Sequence, residues 1–183
     1  GVSGSGKSVL LRKIAETLET EILPYTVFAK RMRKLNKSII DSIGNTFEEA
    51  LALLNISGLS EAFIYLKKFV QLSDGQKYRF YLAKLLENDS NIIIVDEFVT
   101  SLDRITAKSV SFNYQKSVRR RNKKLIVATS HDDLIEEIRP SHLISFTYSG
   151  EHVIREMSYE GKHIPPFLNE ITMKHISRNS KDM

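Results

Sequence analysis

Apolar positions recur along the chain at two spacings, one helical and one extended. From Lys7 to about Thr20, Leu10, Leu11, Ile14, Ala15 and Leu18 fall at helical intervals and predict an amphipathic helix. After Pro24, "YTVFA" (25–29) predicts a short strand. Thr46 and Glu49 have the spacing of a capping box opening "FEEALALLNI", which Gly58 closes. "SEAFIYLKKF" (60–69) predicts a further short helix with Ser60 as its cap. The stretch from Ile39 to Leu72 is therefore expected to be mostly helical, followed by a helix over Lys77–Glu87. "NIIIV" (91–95) is a β-branched run bounded by polar residues, the pattern of a strand buried on both faces of a parallel sheet. A helix from Asp103 to about Arg121, a strand at "LIVATS" (125–130) and a short helix at "DDLIEEI" (132–138) follow. "HLISFTY" and "HVIREMSY" alternate on either side of "SGE" and predict a hairpin. Strands alternating with helices imply an α/β fold with a mostly parallel sheet. The expected organisation is one domain over 1–183, a helical subdomain at about 39–72 and a loose polar tail at about 174–183.

Composition narrows the function classes. The 183 residues suffice for one domain with a sizeable core, and 42% apolar with 27% charged residues is ordinary for a globular protein. Cysteine is absent, which excludes disulfides, thiolate chemistry and thiolate-bound metals. No apolar run reaches membrane-spanning length and no signal-peptide pattern opens the chain, so a cytoplasmic protein without membrane insertion is expected. Much of the net charge of +5 sits in "KRMRK" (30–34) and "RRRNKK" (119–124). Such runs can hold nucleic acid, an acidic membrane surface or an acidic partner, or can be solvated helix ends. No aromatic residue interleaves with them, so a base-stacking platform is not indicated.

The candidate chemistry concentrates at strand ends and helix starts. "GVSGSGKS" fits G-x-x-x-x-G-K-S/T at Gly1, Gly6, Lys7 and Ser8. Glycines let the backbone curl so that N–H groups converge on a phosphate, Lys7 supplies a point charge and Ser8 a hydroxyl for Mg²⁺. The strand expected before this loop would lie ahead of Gly1. "NIIIVDE" ends a buried strand in two carboxylates, the place where open α/β sheets bind ligands. There Asp96 can hold Mg²⁺ and Glu97 can orient or deprotonate a water. "LSDGQ" (72–76) opens a helix on a serine and a glycine, a geometry suited to an anion.

In order, the phosphate loop (1–8), "LSDGQ" (72–76), "IIIVDE" (92–97), "SLD" (101–103) and "TSH" (129–131) resemble the ABC ATPase family over nearly the whole chain. The resemblance implies a P-loop NTPase fold and Mg²⁺-dependent ATP hydrolysis by a nucleotide-sandwiched dimer. The two subunits would be identical or a pair of different ABC subunits. It places Gly1, Ser3, Gly4, Ser5, Gly6, Lys7, Ser8 and Val9 on the nucleotide of the same subunit. Ser73, Gly75 and Gln76 would meet the γ-phosphate held by the partner. Asp103 would couple the two sites, and His131 would contact the γ-phosphate, with Glu97 and Lys7 completing the catalytic set. Taken singly, Asp103 also fits a helix cap and His131 a satisfied strand-end histidine.

Three departures qualify this resemblance. Asp74 stands where the family signature usually has glycine and must point away from phosphate or be neutralised. The family's loop glutamine should follow 25–29, yet the only glutamines are Gln71, Gln76 and Gln115. The adenine-stacking aromatic normally precedes the phosphate loop and would lie ahead of Gly1. The short helical insert points away from a typical transporter subunit. "VDEFVTSLDRITAKSV" and the segment after it are similar to stand-alone ABC ATPases, some of them fused to an acetyltransferase-like domain; such a domain would start after Pro165. Alternatives are an ATP-binding transporter subunit and an ATP-gated clamp with little turnover. A nucleic-acid-associated head is weakly supported, because those carry long coiled-coil insertions that this chain lacks.

Overall fold

The computed structural model describes residues 6–146 and 151–160. The expectations for Gly1, Ser3, Gly4, Ser5, the hairpin turn, the tail and any segment after Pro165 lie outside these residues. The order is α1 (Lys7–Thr17), α2 (Tyr25–Met32), α3 (Phe47–Ile56), α4 (Ala62–Tyr65), α5 (Asp74–Glu87), β1 (Ile92–Val95), α6 (Arg104–Arg120), β2 (Lys124–Val127), α7 (Ile135–Ile138), β3 (His142–Phe146) and β4 (His152–Glu156). Single 3-10 turns at Ile40–Ser42 and Phe69–Gln71 flank the α3–α4 region.

β1 and β2 pair in parallel, Ile92 opposite Lys124 through Val95 opposite Val127, with α6 as the crossover. β3 and β4 form the expected antiparallel hairpin, His142 opposite Glu156. Alternate residues of a strand point to opposite faces. Ile93 and Val95 accordingly enter the main core with α2, α3, α5 and α6, whereas Ile94 packs with Leu11 and Ala15 of α1 and with Ala128. The parallel pair is thus covered on both faces, and the strand ends that carry polar residues open beside the start of α1.

"YTVFA" is helical, not extended. Tyr25, Phe28, Ala29 and Met32 follow a helical period, and the last three are buried. The Phe28 ring lies 5.7 Å from Phe69, 6.0 Å from Phe80 and 5.2 Å from Tyr81. Burial of this face against α5 overrides the local β propensity of Tyr, Thr, Val and Phe. The second correction concerns "SEAFIYLKKF", which yields only Ala62–Tyr65, with Glu61 rather than Ser60 at the N-cap position and no side-chain cap. In α3, Thr46 accepts the Glu49 N–H at 3.2 Å as expected, but the Glu49 carboxylate reaches back to the Asn45 N–H at 2.8 Å. Gly58, at φ +83, ends that helix in the left-handed region that glycine adopts without strain. "LIVATS" is a strand only through Val127, and the residues after it turn into the cleft described next.

Candidate nucleotide site

A cleft of about 340 Å³ lies at the C-terminal ends of β1 and β2. Three segments line it: Gly6, Lys7, Ser8 and Val9 at the start of α1; Asp96, Glu97 and Thr100 after β1; and Ala128, Thr129 and Ser130 after β2. Gly6 is the N-cap residue of α1 at φ +88, and no side chain caps the helix there. A Cβ at Gly6 would meet nothing within 4 Å, so backbone conformation rather than space demands glycine. An uncapped helix start, with its aligned peptide dipoles and a lysine on its first residue, favours an anion.

The turn after β1 is tightly held. Asp96 Oδ1 accepts the Glu97 N–H at 2.9 Å, and Phe98 N–H donates to the Ala128 carbonyl at 2.8 Å, tying the turn to the end of β2. Glu97 and Val99 adopt φ values of +50 and +52. Glu97 keeps its side chain exposed, whereas Val99 is fully buried. The backbone N–H of His131 donates to Thr129 Oγ1 at 3.2 Å. His131 does not line this cleft but a neighbouring groove of about 870 Å³, which shares Lys7 and Thr129 with it.

The start of α5 is a full capping box. Ser73 Oγ accepts the Gln76 N–H at 3.3 Å, and Gln76 Oε1 accepts the Ser73 N–H at 3.0 Å. Asp74 points away into solvent, its side chain 96% exposed, and pairs with Lys77 at 3.1 Å. Arg79 links this helix start to the end of α3, donating to the carbonyls of Gly75 at 3.3 Å and Gly58 at 2.6 Å. None of Ser73, Gly75, Gln76 or Asp103 lines the cleft. Asp103 caps α6 by accepting the Thr106 N–H at 3.0 Å, and hydrogen bonding from the Thr106 side chain, followed by that N–H, holds its carboxyl below the usual range. The next residue, Arg104, forks onto both oxygens of Asp133, so the segment after His131 is fastened to α6 and the Asp133 carboxyl is likewise pulled down.

No protein-family model matches the sequence. It is 30% identical over 119 residues to the phosphonates import ATP-binding protein PhnC of Lactococcus lactis subsp. lactis, covering 63% of this chain and 47% of that protein. It is 32% identical over 105 residues to the lipoprotein-releasing system ATP-binding protein LolD of Hyphomonas neptunium, covering 54% and 45% respectively. The chain thus spans about half the length of the curated relatives it matches. Its fold superposes on a dimeric post-hydrolysis state of the ATP-binding cassette MJ0796 bound to ADP and Pi, with a TM-score of 0.62 and 20% identity over 87% of this chain and 84% of that one. The chain is thus similar in sequence to these ATP-binding proteins and in fold to an ATP-binding cassette.

The structure brings together Gly6, Lys7 and Ser8 of "GVSGSGKS" and the Asp96–Glu97 pair, and leaves the helix start at "LSDGQ" and Asp103 outside the cleft. Thr100, Thr129 and Ser130 also line it. The sequence motifs give none of the three a site role, although Thr129 and Ser130 belong to "TSH" and "VTS" after the carboxylates likewise puts a hydroxyl at a strand end. Part of the basic run at 119–124 serves the fold. Arg119 donates to the Ile138 and Arg139 carbonyls, and Lys123 to those of Leu86 and Asn88, where cations complement helix C-termini. Among the described residues no helix is long and apolar enough to cross a membrane, and no cluster of three His, Asp or Glu side chains could hold a metal alone.

Proposed function

We propose that this protein is an ABC ATPase that binds ATP with Mg²⁺ in the cleft and hydrolyses it as a nucleotide-sandwiched dimer. The observation that carries this is a division of labour. Lys7, Ser8, Asp96 and Glu97 converge on one cleft, while the capped start of α5, with Ser73 and Gly75, stands outside it. A second subunit can bring that helix start to the open side of the nucleotide. Ser73 Oγ accepts a bond from the Gln76 N–H and keeps its own proton to donate to a phosphate oxygen.

The donors fit Mg²⁺. Ser8 and Asp96 offer a hydroxyl and a carboxylate in the same cleft, and this cation is commonly held by few protein oxygens, with phosphates and water completing its octahedron. When bound, it would neutralise charge on the β- and γ-phosphates. Lys7 would bind the same phosphates, and Glu97, exposed in the cleft, would orient the attacking water and accept its proton. Asp96 also fixes Glu97 through the Glu97 N–H. His131 would reach the γ-phosphate from the groove bordering Lys7. The outward Asp74, paired with Lys77, leaves the signature usable.

Glu97→Gln tests the proposal: the variant should bind ATP, remain dimeric in it and release no phosphate. Hydrolysis at the parent rate overturns the assignment. The names of the relatives favour a second reading, an ATP-binding subunit serving a transporter on the cytoplasmic side of a membrane. Turnover that rises only when a membrane partner is supplied would support that reading over an autonomous ATPase.

A further inference from the structure

Tyr78 lies on α5, two residues past the signature, yet its hydroxyl sits under the turn that carries Glu97. The phenol oxygen accepts the Val99 N–H at 3.0 Å and donates to the Glu97 carbonyl at 3.4 Å. We infer that Tyr78 is a positioning residue that holds the Glu97 turn in its reactive conformation and ties it to the signature helix of the same subunit.

Three observations carry this. First, the turn is strained: Glu97 and Val99 both have positive φ, a region unfavourable for a β-branched residue such as Val99. Such a conformation persists only where its surroundings over-determine it. Second, Val99 is fully buried, so its N–H needs a partner inside the protein, and the phenol provides one. The Glu97 carbonyl is held from the other side by the Thr100 N–H at 3.2 Å and the Thr100 hydroxyl at 2.9 Å. Third, the phenol itself cannot drift. Its ring is 5.7 Å from that of Tyr25 and 5.8 Å from that of Tyr81, and burial pushes its pKa upward, keeping it a neutral donor and acceptor. A helix whose tip is offered to a second nucleotide therefore grips the carboxylate turn of its own site through one hydroxyl.

The inference rests on the proposed role of Glu97, and the experiment separates the two. Tyr78→Phe keeps the ring and removes only the hydroxyl. ATP turnover and affinity are measured for the parent, Tyr78→Phe, Glu97→Gln and a remote core control, Leu53→Val, well below every melting temperature. A misplacement of about 1 Å can cost about a hundredfold in rate. Tyr78→Phe should therefore lower kcat by about tenfold or more with ATP affinity and KM nearly unchanged, while Leu53→Val keeps the parent kcat despite its own loss of stability. An inactive Glu97→Gln beside a Tyr78→Phe at parent kcat overturns this inference alone. An active Glu97→Gln overturns the functional proposal instead. Should Tyr78→Phe fail to fold, hydrogen exchange in the parent decides: a Val99 amide exchanging as fast as exposed amides overturns the inference, and a protected one supports it.

Discussion

Asp103 allows a structural role to be separated from a functional one. Its carboxylate caps α6 through the Thr106 N–H and is otherwise exposed, while the family resemblance assigns it a role across the dimer. Asp103→Ala removes both, whereas Asp103→Ser retains a cap of equal quality and removes only the carboxylate. α6 runs from Arg104 to Arg120 and buries Ala107, Val110, Tyr114 and Val118, so fraying at its start propagates into the core. Loss of such a cap costs about 1 kcal/mol. In a chain of 183 residues that lowers the melting temperature by about 2–4 °C. A domain stable by at least about 5 kcal/mol stays more than 99% folded after such a loss, so the cap alone cannot depress turnover at 25 °C. Thermal unfolding and ATP turnover are then measured side by side. Asp103→Ala should melt lower while Asp103→Ser melts with the parent, yet both should lose turnover to a similar degree. Parent-like turnover in Asp103→Ser refutes the coupling role, and an unchanged melting temperature in Asp103→Ala refutes the cap. The sign with pH follows from the lowered carboxyl pKa. Stabilisation by a depressed acid is present above its unfolded value and lost as pH falls through its folded one. The gap between parent and Asp103→Ala should therefore narrow below about pH 4.

Gly44→Ala should destabilise by about 2 kcal/mol or more in urea unfolding: φ is +72, and a Cβ would lie 2.7 Å from the Ala50 nitrogen. A loss below about 0.5 kcal/mol would show that the Gly44 turn yields easily. Asp74→Asn should strengthen ATP-driven association by no more than about twofold at low salt, since an exposed charge about 10 Å from another is worth roughly 0.4 kcal/mol in water. The gain should vanish at high salt; a tenfold change would mean that Asp74 lies against phosphate. Glu137 is 1% exposed, its carboxylate oxygens have no hydrogen-bond partner, Lys108 stands at 3.9 Å, and burial raises its pKa. A raised acid stabilises most below its unfolded pKa and progressively less as pH climbs through the folded value. Glu137→Gln should therefore melt above the parent at pH 8 and with it near pH 4; a parent that melts higher at pH 8 would show that the Lys108 pair outweighs burial.

Elements were legible in the sequence where period, cap and length agreed. α3 and α5 each begin on a hydroxyl residue whose side chain accepts an N–H three residues on, and β1 is an apolar β-branched run that ends in acids. Tyr25–Met32 failed because the β propensity of four residues, Tyr25, Thr26, Val27 and Phe28, says nothing of the surface they meet. The helical period becomes visible only when Met32 joins Tyr25, Phe28 and Ala29, and it is the aromatic face of α5 that selects it. Ser60 failed for the opposite reason. A good cap residue was present, but the helix is only four residues long and starts one residue later than a Ser60 cap would place it.

The site divides along the same line. Gly6, Lys7, Ser8, Asp96 and Glu97, which line one cleft, stand in two short motifs whose residue types and spacing can be read from the sequence. Tyr78 could not be, because its role comes from a turn 19 to 21 residues further along the chain, and nothing in "KYRFY" distinguishes it from Tyr81. The conflict it resolves is visible only in three dimensions. "DEFV" contains no glycine or asparagine, the residues that accept a positive φ cheaply, yet two of its residues adopt one. The turn must therefore be imposed from outside itself: by the Phe98 bond to Ala128, by Thr100 on the Glu97 carbonyl, and by the Tyr78 hydroxyl on the Val99 amide. Local sequence rules break where the surrounding fold compels a conformation, and here the break falls on the residue proposed to activate water.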